Sequence, residues 1–508
     1  MTQPTPQASN TVVFVSYTVF LIFGLLIACK LRNQSKAEWL SGNRTQSAIP
    51  LSLNFIASAL GSGILFSYPQ LATIAGVQGM VTYAVTTSSP LLVFAYLGPI
   101  IRKKCPDGFV LTEWTRQRYG VTCALYLSFL TMVTMFLYMI AELSALHQIT
   151  TALTGINGLR FVLIQCVVTT IYTSFGGFKI SFITDNLQGT MVIGLVVIAS
   201  FSIAFETKLD HEIIEHSGLL KTSLLGWQLL YILPVATLTN DFFLSNFWIR
   251  TFASKTDKDL WIGVSIATVA VMFILLLVGS TGLIAVWTGA YDPSNPNQDG
   301  SIAFFYLLEH LPSWSVALVL IMVVTLSTAA FDSFQSAMVS TASNDIFRNR
   351  LNIWWVRLAV VLVMIPVVLI ALKAPSILQI YLISDLISAS TIPVLVLGLM
   401  DRMHFWRGFE VIVGGIGGLI TVFLFGTAYY GDAQRGLRLI LLEEGLYASD
   451  WSVFGAFVAA PIGGLLWGAC ALFLRLGYRL VMKKSGNLRD CFSKRPASSI
   501  PTTPGSLA

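Results

Sequence analysis

The chain has 508 residues, of which 55% are hydrophobic and only 11% are charged, whereas ordinary soluble domains carry about 25% charged residues. This composition excludes a soluble enzyme. The net charge of +6 is not gathered into a basic stripe with interleaved aromatic residues, so no nucleic-acid partner is expected. The six cysteines are scattered and include no CxxC pair, which argues against a disulfide or metal framework.

Thirteen apolar segments are long enough to cross a bilayer, which takes about 20 residues in a helix. They are predicted at 11–29, 49–74, 77–101, 121–150, 159–176, 184–205, 224–252, 260–288, 313–346, 353–372, 376–400, 408–427 and 451–481. The sequence therefore predicts an all-α polytopic membrane protein with 13 transmembrane helices and no large domain outside the membrane.

The distribution of Lys and Arg predicts the orientation, because cytoplasmic loops retain an excess of both residues. With the N-terminus outside, 25 of the 31 Lys and Arg residues fall in cytoplasmic segments. We therefore expect an external N-terminus and a cytoplasmic C-terminus. The basic tail at 482–508 is predicted to attract membrane lipid on the inner leaflet.

Two predicted segments carry signs of a broken helix, which is retained in a membrane mainly where it lines a cavity. The second segment has Gly61, Ser62 and Gly63 in succession, and the seventh brings proline, threonine and asparagine together within 231–241. The two segments lie five apart and run in opposite directions. This arrangement is typical of a five-plus-five inverted repeat with the substrate at the crossing point.

The inverted repeat gives the chain a predicted division into parts. Residues 1–30 form the external N-terminus and an extra helix, 49–205 the first repeat, 224–400 the second repeat, 408–481 two accessory helices, and 482–508 the tail. Exposed backbone groups and small polar side chains at the two breaks are predicted to bind substrate. The candidates are Ser58, Ala59, Gly61, Ser62, Gly63, Thr237, Thr239 and Asn240.

Four carboxylates fall inside predicted membrane segments, where an ionisable group is costly and therefore a functional candidate. They are Glu142, Asp241, Asp332 and Asp385. Each could carry a proton or hold a cation; alternatively, each only hydrogen-bonds a neighbouring helix. Asp332 shares its helix with a polar stripe and is the strongest candidate for coupling. Asp185, at the predicted start of the sixth segment, is interpreted as a helix cap.

Several stretches resemble motifs of the sodium/solute symporter family, which is built on the leucine-transporter fold. Residues 171–179 (IYTSFGGFK) with 184–188 (TDNLQ) are similar to the signature at the inner junction of spans 5 and 6. Residues 247–253 (FWIRTFA) resemble the segment ending span 7, and 333–347 the end of the ion-binding helix. Within the family, the fungal and plant urea/polyamine transporters are the most similar.

The resemblance also implies a sodium site, and this chain lacks some of the ligands of that site. Ala57 and Leu60 take the positions of the carbonyl ligands of sodium, while Ala329 and Ala330 replace the two hydroxyl ligands. Loss of two oxygen ligands weakens sodium binding. Ser327 and Thr328 could substitute only if the helix shifts its register. Proton coupling is therefore expected rather than sodium coupling, and the residues assigned to it are Glu142, Asp332 and Ser333.

The sequence thus predicts a symporter that imports a small polar solute, such as urea or a related nitrogen compound, by alternating access. The paired tryptophans of the urea transporters are replaced by Ala59 and Gly61, which argues against urea. The alternative is a nutrient receptor that binds solute without transporting it. No catalytic motif or cofactor site is recognised. We expect the plasma membrane as location, and the oligomeric state stays open.

Overall fold

A computed structural model describes residues 5–30, 42–106, 110–295, 298–348, 350, 352–374, 376–443, 446 and 450–482. The predicted tail after residue 482 lies outside the described residues. Within the described part the chain is helical and forms no β-strand, only an isolated bridge between Gln46 and Ser254. Nine of the described helices are long and apolar enough to cross a membrane.

The first half of the chain contains α1 to α8. Their bounds are α1 Pro6–Lys30, α2 Ala48–Ala59, α3 Ile64–Ser88, α4 Pro90–Lys104, α5 Leu111–Tyr119, α6 Val121–Thr154, α7 Leu159–Glu206 and α8 His211–Ser217. Helices α2 and α3 belong to the predicted second segment, and α3 continues through a kink into the third.

The second half contains α9 to α18. Their bounds are α9 Leu224–Phe243, α10 Ser245–Ala253, α11 Asp257–Trp287, α12 Ala303–Leu308, α13 Ser313–Thr341, α14 Ile353–Ala371, α15 Ile377–Val396, α16 Gly408–Tyr430, α17 Ala433–Ile440 and α18 Ser452–Met482. A π-helical turn, Ala342–Ile346, continues α13.

The second predicted segment is broken where its glycines indicate. Helix α2 ends at Ala59, Leu60 is extended (φ −115°, ψ 111°), and α3 begins at Ile64. Farther along, Gly76 has φ +64°, and a Cβ there would lie 2.2 Å from the Leu219 carbonyl oxygen. Only glycine adopts this conformation beside that carbonyl without strain. The kink at Gly76 therefore separates the second predicted segment from the third.

The predicted position of the break in the seventh segment is wrong. Helix α9 runs without interruption past Pro234 and ends at Phe243, and the break is the single extended residue Leu244. A membrane helix tolerates proline where the freed backbone groups find other partners. At the true break, the Trp248 indole N–H donates to the Phe242 carbonyl at 2.8 Å, which satisfies one of the carbonyl groups released there.

The fifth and sixth predicted segments form one helical run, α7, of 48 residues. A straight helix of this length would extend about 72 Å, more than twice the apolar thickness of a bilayer. Its apolar parts are Leu159–Ser174 and Phe178–Glu206. Because the helix continues through position 185, the interpretation of Asp185 as a helix cap is wrong.

Helix α13 lies at the centre of the bundle. Every residue from Met322 to Thr341 is buried, and α13 packs against α7, α6 and α1. Helix α3 packs against α11, while α16 and α18 pack against each other and against α15. The polar side chains of α13 are therefore shielded from bulk water and must find partners inside the protein.

Candidate functional site

A central cavity lies where the two helix breaks face α6, α13 and α15. Its free space is about 660 Å³ when the part open to solvent is included. Its polar lining combines three carboxylates with four tyrosines: Glu142, Asp241, Asp385, Tyr68, Tyr83, Tyr138 and Tyr381. No lysine, arginine or histidine is present among the described residues of this lining. The cavity wall is therefore acidic and aromatic.

Glu142 of α6 occupies the break between α2 and α3. Its Oε2 accepts hydrogen bonds from the Ser62 backbone N–H at 2.7 Å and from the Ser62 hydroxyl at 2.8 Å. The Tyr381 hydroxyl donates to Oε1 at 3.2 Å. Glu142 is 2% exposed. A carboxylate thus binds the partially positive end of half-helix α3, as expected from the helix dipole.

The glycines of this break make room for Glu142 and its partner. A Cβ on Gly61 would lie 2.0 Å from Glu142 Oε1, and one on Gly63 would lie 2.0 Å from the Tyr381 hydroxyl. Side chains at either position would collide with these groups. The two glycines therefore allow the carboxylate and the phenol to approach the backbone closely.

Asp241 and Asp385 form a second acidic region of the lining. Asp241 lies in the last turn of α9, beside the break at Leu244, and Asp385 lies on α15. The two carboxylates line the same cavity. Among the described residues, no cation or hydrogen-bond donor balances either side chain. A carboxylate is also disfavoured at the negative end of a helix, so a bound cation would stabilise this region.

Aromatic rings line the cavity together with the acidic side chains. Tyr68 and Tyr83 stack with their ring centroids 4.0 Å apart, and Tyr138 lies 4.9 Å from Tyr381 and 5.3 Å from Phe334. The Tyr68 hydroxyl donates to Thr87 Oγ1 at 2.7 Å. Such rings offer apolar faces and also attract cations through their π electrons.

The structure brings some of the predicted substrate residues into the cavity and not others. Those that line it are Ser58, Ala59, Gly61 and Thr237. Ser62 is buried against Glu142, and the Thr239 hydroxyl donates back to the Val235 carbonyl at 2.7 Å. Asn240 donates to the Tyr138 hydroxyl and accepts from two serines of α15. Thr239 and Asn240 therefore have hydrogen-bond partners within the bundle.

Asp332 lies in a separate polar cluster between α13 and α7. Its carboxylate accepts hydrogen bonds from Tyr172 at 2.6 Å, Ser181 at 3.1 Å and Thr184 at 3.3 Å. Asp332 is fully buried. Three hydroxyl donors therefore surround a carboxylate that has no cation in direct contact among the described residues.

A buried ion pair borders the Asp332 cluster. Arg250 of α10 donates to Asp185 Oδ2 at 2.5 Å and to the Ser333 hydroxyl at 2.8 Å. Both charged side chains are fully buried. The Ser333 hydroxyl also lies 3.5 Å from the hydroxyl of Ser58, which lines the cavity. Ser333 therefore connects the ion pair with the broken helix.

The positions implied for a sodium site are apolar or have other partners. Ala57, Leu60 and Ala329 are fully buried, and Ala330 lines the cavity. The Thr328 hydroxyl donates to Gln165 at 3.1 Å, and within the described residues the Ser327 hydroxyl has no partner. A role for these residues in ion binding stays a prediction.

Sequence reasoning missed Arg250 and the four tyrosines of the cavity. Arg250 lies within the motif at 247–253, but its partner Asp185 is 65 residues away in the chain. The tyrosines are spread over three helices and resemble ordinary core aromatics in the sequence. A regular spacing does appear on α15, where Tyr381, Ser384, Asp385 and Ser388 share one helix face.

Comparison with known proteins places the chain among transporters. The spermidine transporter DUR31 of Candida albicans is 52% identical over 94% of this chain and 91% of its own length. The urea active transporter of Saccharomyces cerevisiae is 23% identical over 39% of this chain and 28% of its own length.

A search against family models found no match. Among solved structures, a Na+-coupled sialic acid symporter superposes with a TM-score of 0.72 at 16% identity, covering 92% of this chain and 97% of that one. The fold is therefore that of a transporter, as predicted. The chain is an integral membrane transporter and belongs to the family of the Candida albicans spermidine transporter.

Proposed function

We propose that the protein imports a polyamine-type organic cation by alternating access. The observation that carries the proposal is the position of Glu142, whose carboxylate binds the exposed N-terminal end of half-helix α3. In transporters with broken helices, this positive end is where an anionic group of the substrate binds. Here a side chain of the protein fills that place, which disfavours an anionic substrate.

The remaining charges of the cavity favour a cation. The negative end of α9 faces the cavity together with Asp241, and Asp385 adds a further carboxylate. The described lining offers no basic side chain to neutralise them. A neutral solute such as urea leaves these charges uncompensated, whereas an organic cation balances them. The spermidine transporter of Candida albicans supports the same substrate class.

Proton coupling through Asp332 is the second part of the proposal, with sodium as the alternative ion. Asp332 faces Tyr172, Asp185 and Arg250 on the neighbouring helices. A coupling ion must bind one conformation better than the other, because equal affinity shifts no equilibrium. The contact between Ser333 and Ser58 connects the cluster directly to the broken helix. We therefore expect a change in the charge of Asp332 to affect that helix.

The proposal also covers the number and orientation of the membrane spans, the family and the internal repeat. We infer that 13 spans cross the plasma membrane with the N-terminus outside, that the chain is a member of the sodium/solute symporter family, and that its core is the five-plus-five inverted repeat. The distribution of Lys and Arg supports the orientation. The fold of the sialic acid symporter supports the repeat architecture.

Uptake of labelled spermidine and labelled urea in a transporter-deficient host tests the proposed substrate. We expect concentrative uptake of spermidine and none of urea. Glu142→Gln keeps the size of the side chain and removes its charge, so spermidine uptake should fall about thirtyfold or more. Glu443→Gln is the control, because that carboxylate pairs with Arg438 at the surface and does not line the cavity. Uptake of urea but not spermidine would refute the proposal.

A further inference from the structure

The two acidic regions of the cavity are separate. All three carboxylates line one space, but no group of three acidic, histidine or cysteine side chains among the described residues converges closely enough to hold a metal ion. Charges that are spread along a cavity match a ligand whose own charges are spread in the same way. A compact monocation can satisfy only one of the two regions.

We propose that Asp241 and Asp385 form a second ammonium site that selects linear diamines and longer polyamines over monoamines. The inference rests on the proposed function, since Glu142 is taken to hold the first ammonium group. Tyr381 contacts Glu142, and Asp385 follows it by four residues on the same face of α15. This spacing corresponds to a rise of about 6 Å between the two backbones, so α15 presents the partner of Glu142 and the Asp385 carboxylate one helical turn apart.

The surroundings of Asp241 and Asp385 favour an ammonium group over any other occupant. Both carboxylates line the cavity, and Asp241 lies there at the negative end of α9. The described residues supply no donor to either carboxylate, whereas Glu142 already accepts from Ser62 and Tyr381. The second site thus has unfilled acceptor positions, and an ammonium group brings three donors.

The tyrosine wall suits the alkyl chain that joins two ammonium groups. Stacked rings of Tyr68 and Tyr83 line the cavity together with Asp241 and Asp385, and Tyr138 packs against Tyr381, which contacts Glu142. Methylene groups gain by leaving water for such faces. The cavity therefore matches a chain with an apolar middle and charged ends.

The rigidity of the helix carrying Asp385 strengthens the assignment. Asn240 of α9 accepts hydrogen bonds at 3.1 Å from Ser384 and Ser388, which flank Asp385 in the sequence. The same asparagine donates to the Tyr138 hydroxyl. These bonds fix α15 against α9, so the spacing of Asp241 and Asp385 is set by the scaffold rather than by a loop. A fixed spacing is what selection by ligand length requires.

The test compares two probes that differ only in the second amine, butylamine and 1,4-diaminobutane. Each displaces labelled spermidine from the purified full-length protein, and the readout is the ratio of the two affinities. We expect the wild-type protein to prefer the diamine about tenfold or more, and Asp385→Asn to bring the ratio close to one. Glu443→Gln, in the exposed pair with Arg438 and outside the cavity lining, should keep the wild-type ratio.

The outcomes separate this inference from the proposed function. A wild-type protein that binds neither spermidine nor either amine would refute the proposed function. A wild-type protein that binds spermidine, with an unchanged ratio in Asp385→Asn, would overturn only the second site. Thermal melting checks that the variant is folded. Should it not fold, Asp241→Asn gives the same readout: a lower ratio supports the second site and an unchanged ratio refutes it.

Discussion

The cavity and the Asp332 cluster both contain buried carboxylates, but these carboxylates differ in the partners that they have. In the cavity, Asp241 and Asp385 line open space without a balancing partner among the described residues. In the cluster, Asp332 accepts three hydrogen bonds, and the neighbouring Asp185 is paired with Arg250. Unsatisfied charge facing a cavity indicates ligand binding, whereas satisfied charge in the core indicates structure or coupling.

The largest loss of stability is expected when the buried ion pair beside the Asp332 cluster is disrupted. Arg250→Met leaves Asp185 buried without its cation, which costs about 3–5 kcal/mol. We expect loss of most folded protein, measured by thermal melting in detergent and by the amount reaching the membrane. The control is Arg438→Met, because the pair of Arg438 with Glu443 is 3.5 Å long and exposed. Such a pair contributes about 0–1 kcal/mol.

A second variant distinguishes a structural role of the ion pair from a role in transport. Arg250→Met combined with Asp185→Leu removes both charges together, and buried pairs replaced in this way often regain stability. A restored melting temperature with no uptake would assign the pair to transport. An Arg250→Met protein as stable as the wild type would contradict the claim that breaking this buried ion pair destabilises the protein.

At the cavity, the next largest effect is expected from Gly61→Ala. The added methyl group would lie 2.0 Å from Glu142 Oε1, so the carboxylate must leave the end of α3. We expect spermidine uptake to fall about tenfold or more with a smaller loss of stability. Gly194→Ala is the matched control, since a Cβ at Gly194 meets nothing within 4 Å. Equal uptake by both variants would show that Glu142 is not needed at the break.

The smallest effect is expected from a substitution that tests the role of Asp332 in proton coupling. Asp332→Asn keeps a carbonyl oxygen for Tyr172 but no longer titrates. If the proton is the coupling ion, wild-type uptake rises at acidic external pH, and the variant should lose this rise while still binding spermidine. Glu443→Gln provides the control, because Glu443 pairs with Arg438 at the surface and lies outside the Asp332 cluster. An unchanged pH profile in Asp332→Asn would exclude Asp332 as the proton carrier.

The sequence predicted the features that depend on local composition. The apolar segments indicated a helical membrane protein, and Gly61 and Gly63 indicated the break that the structure shows. The carboxylates of the cavity were also found, because a charged residue within an apolar segment is conspicuous in any sequence. In these cases the physical cause lies within a few neighbouring residues.

Features that depend on distant partners were missed. The break at Leu244 lies between two ordinary residues, and Pro234 drew the prediction to the wrong turn of the helix. Asp185 was interpreted as a cap because Arg250, its partner, lies far along the chain. Pairing across the bundle is set by packing, which the periodicity of a single segment does not encode.

Competition binding to the purified full-length protein tests the central claim, that the cavity holds a polyamine-type cation. Labelled spermidine is bound at equilibrium and then challenged with excess 1,4-diaminobutane or excess urea. The account predicts that the diamine displaces the label and that urea, at the same concentration, does not. Displacement by urea with no effect of the diamine, or no binding of spermidine at all, would contradict it.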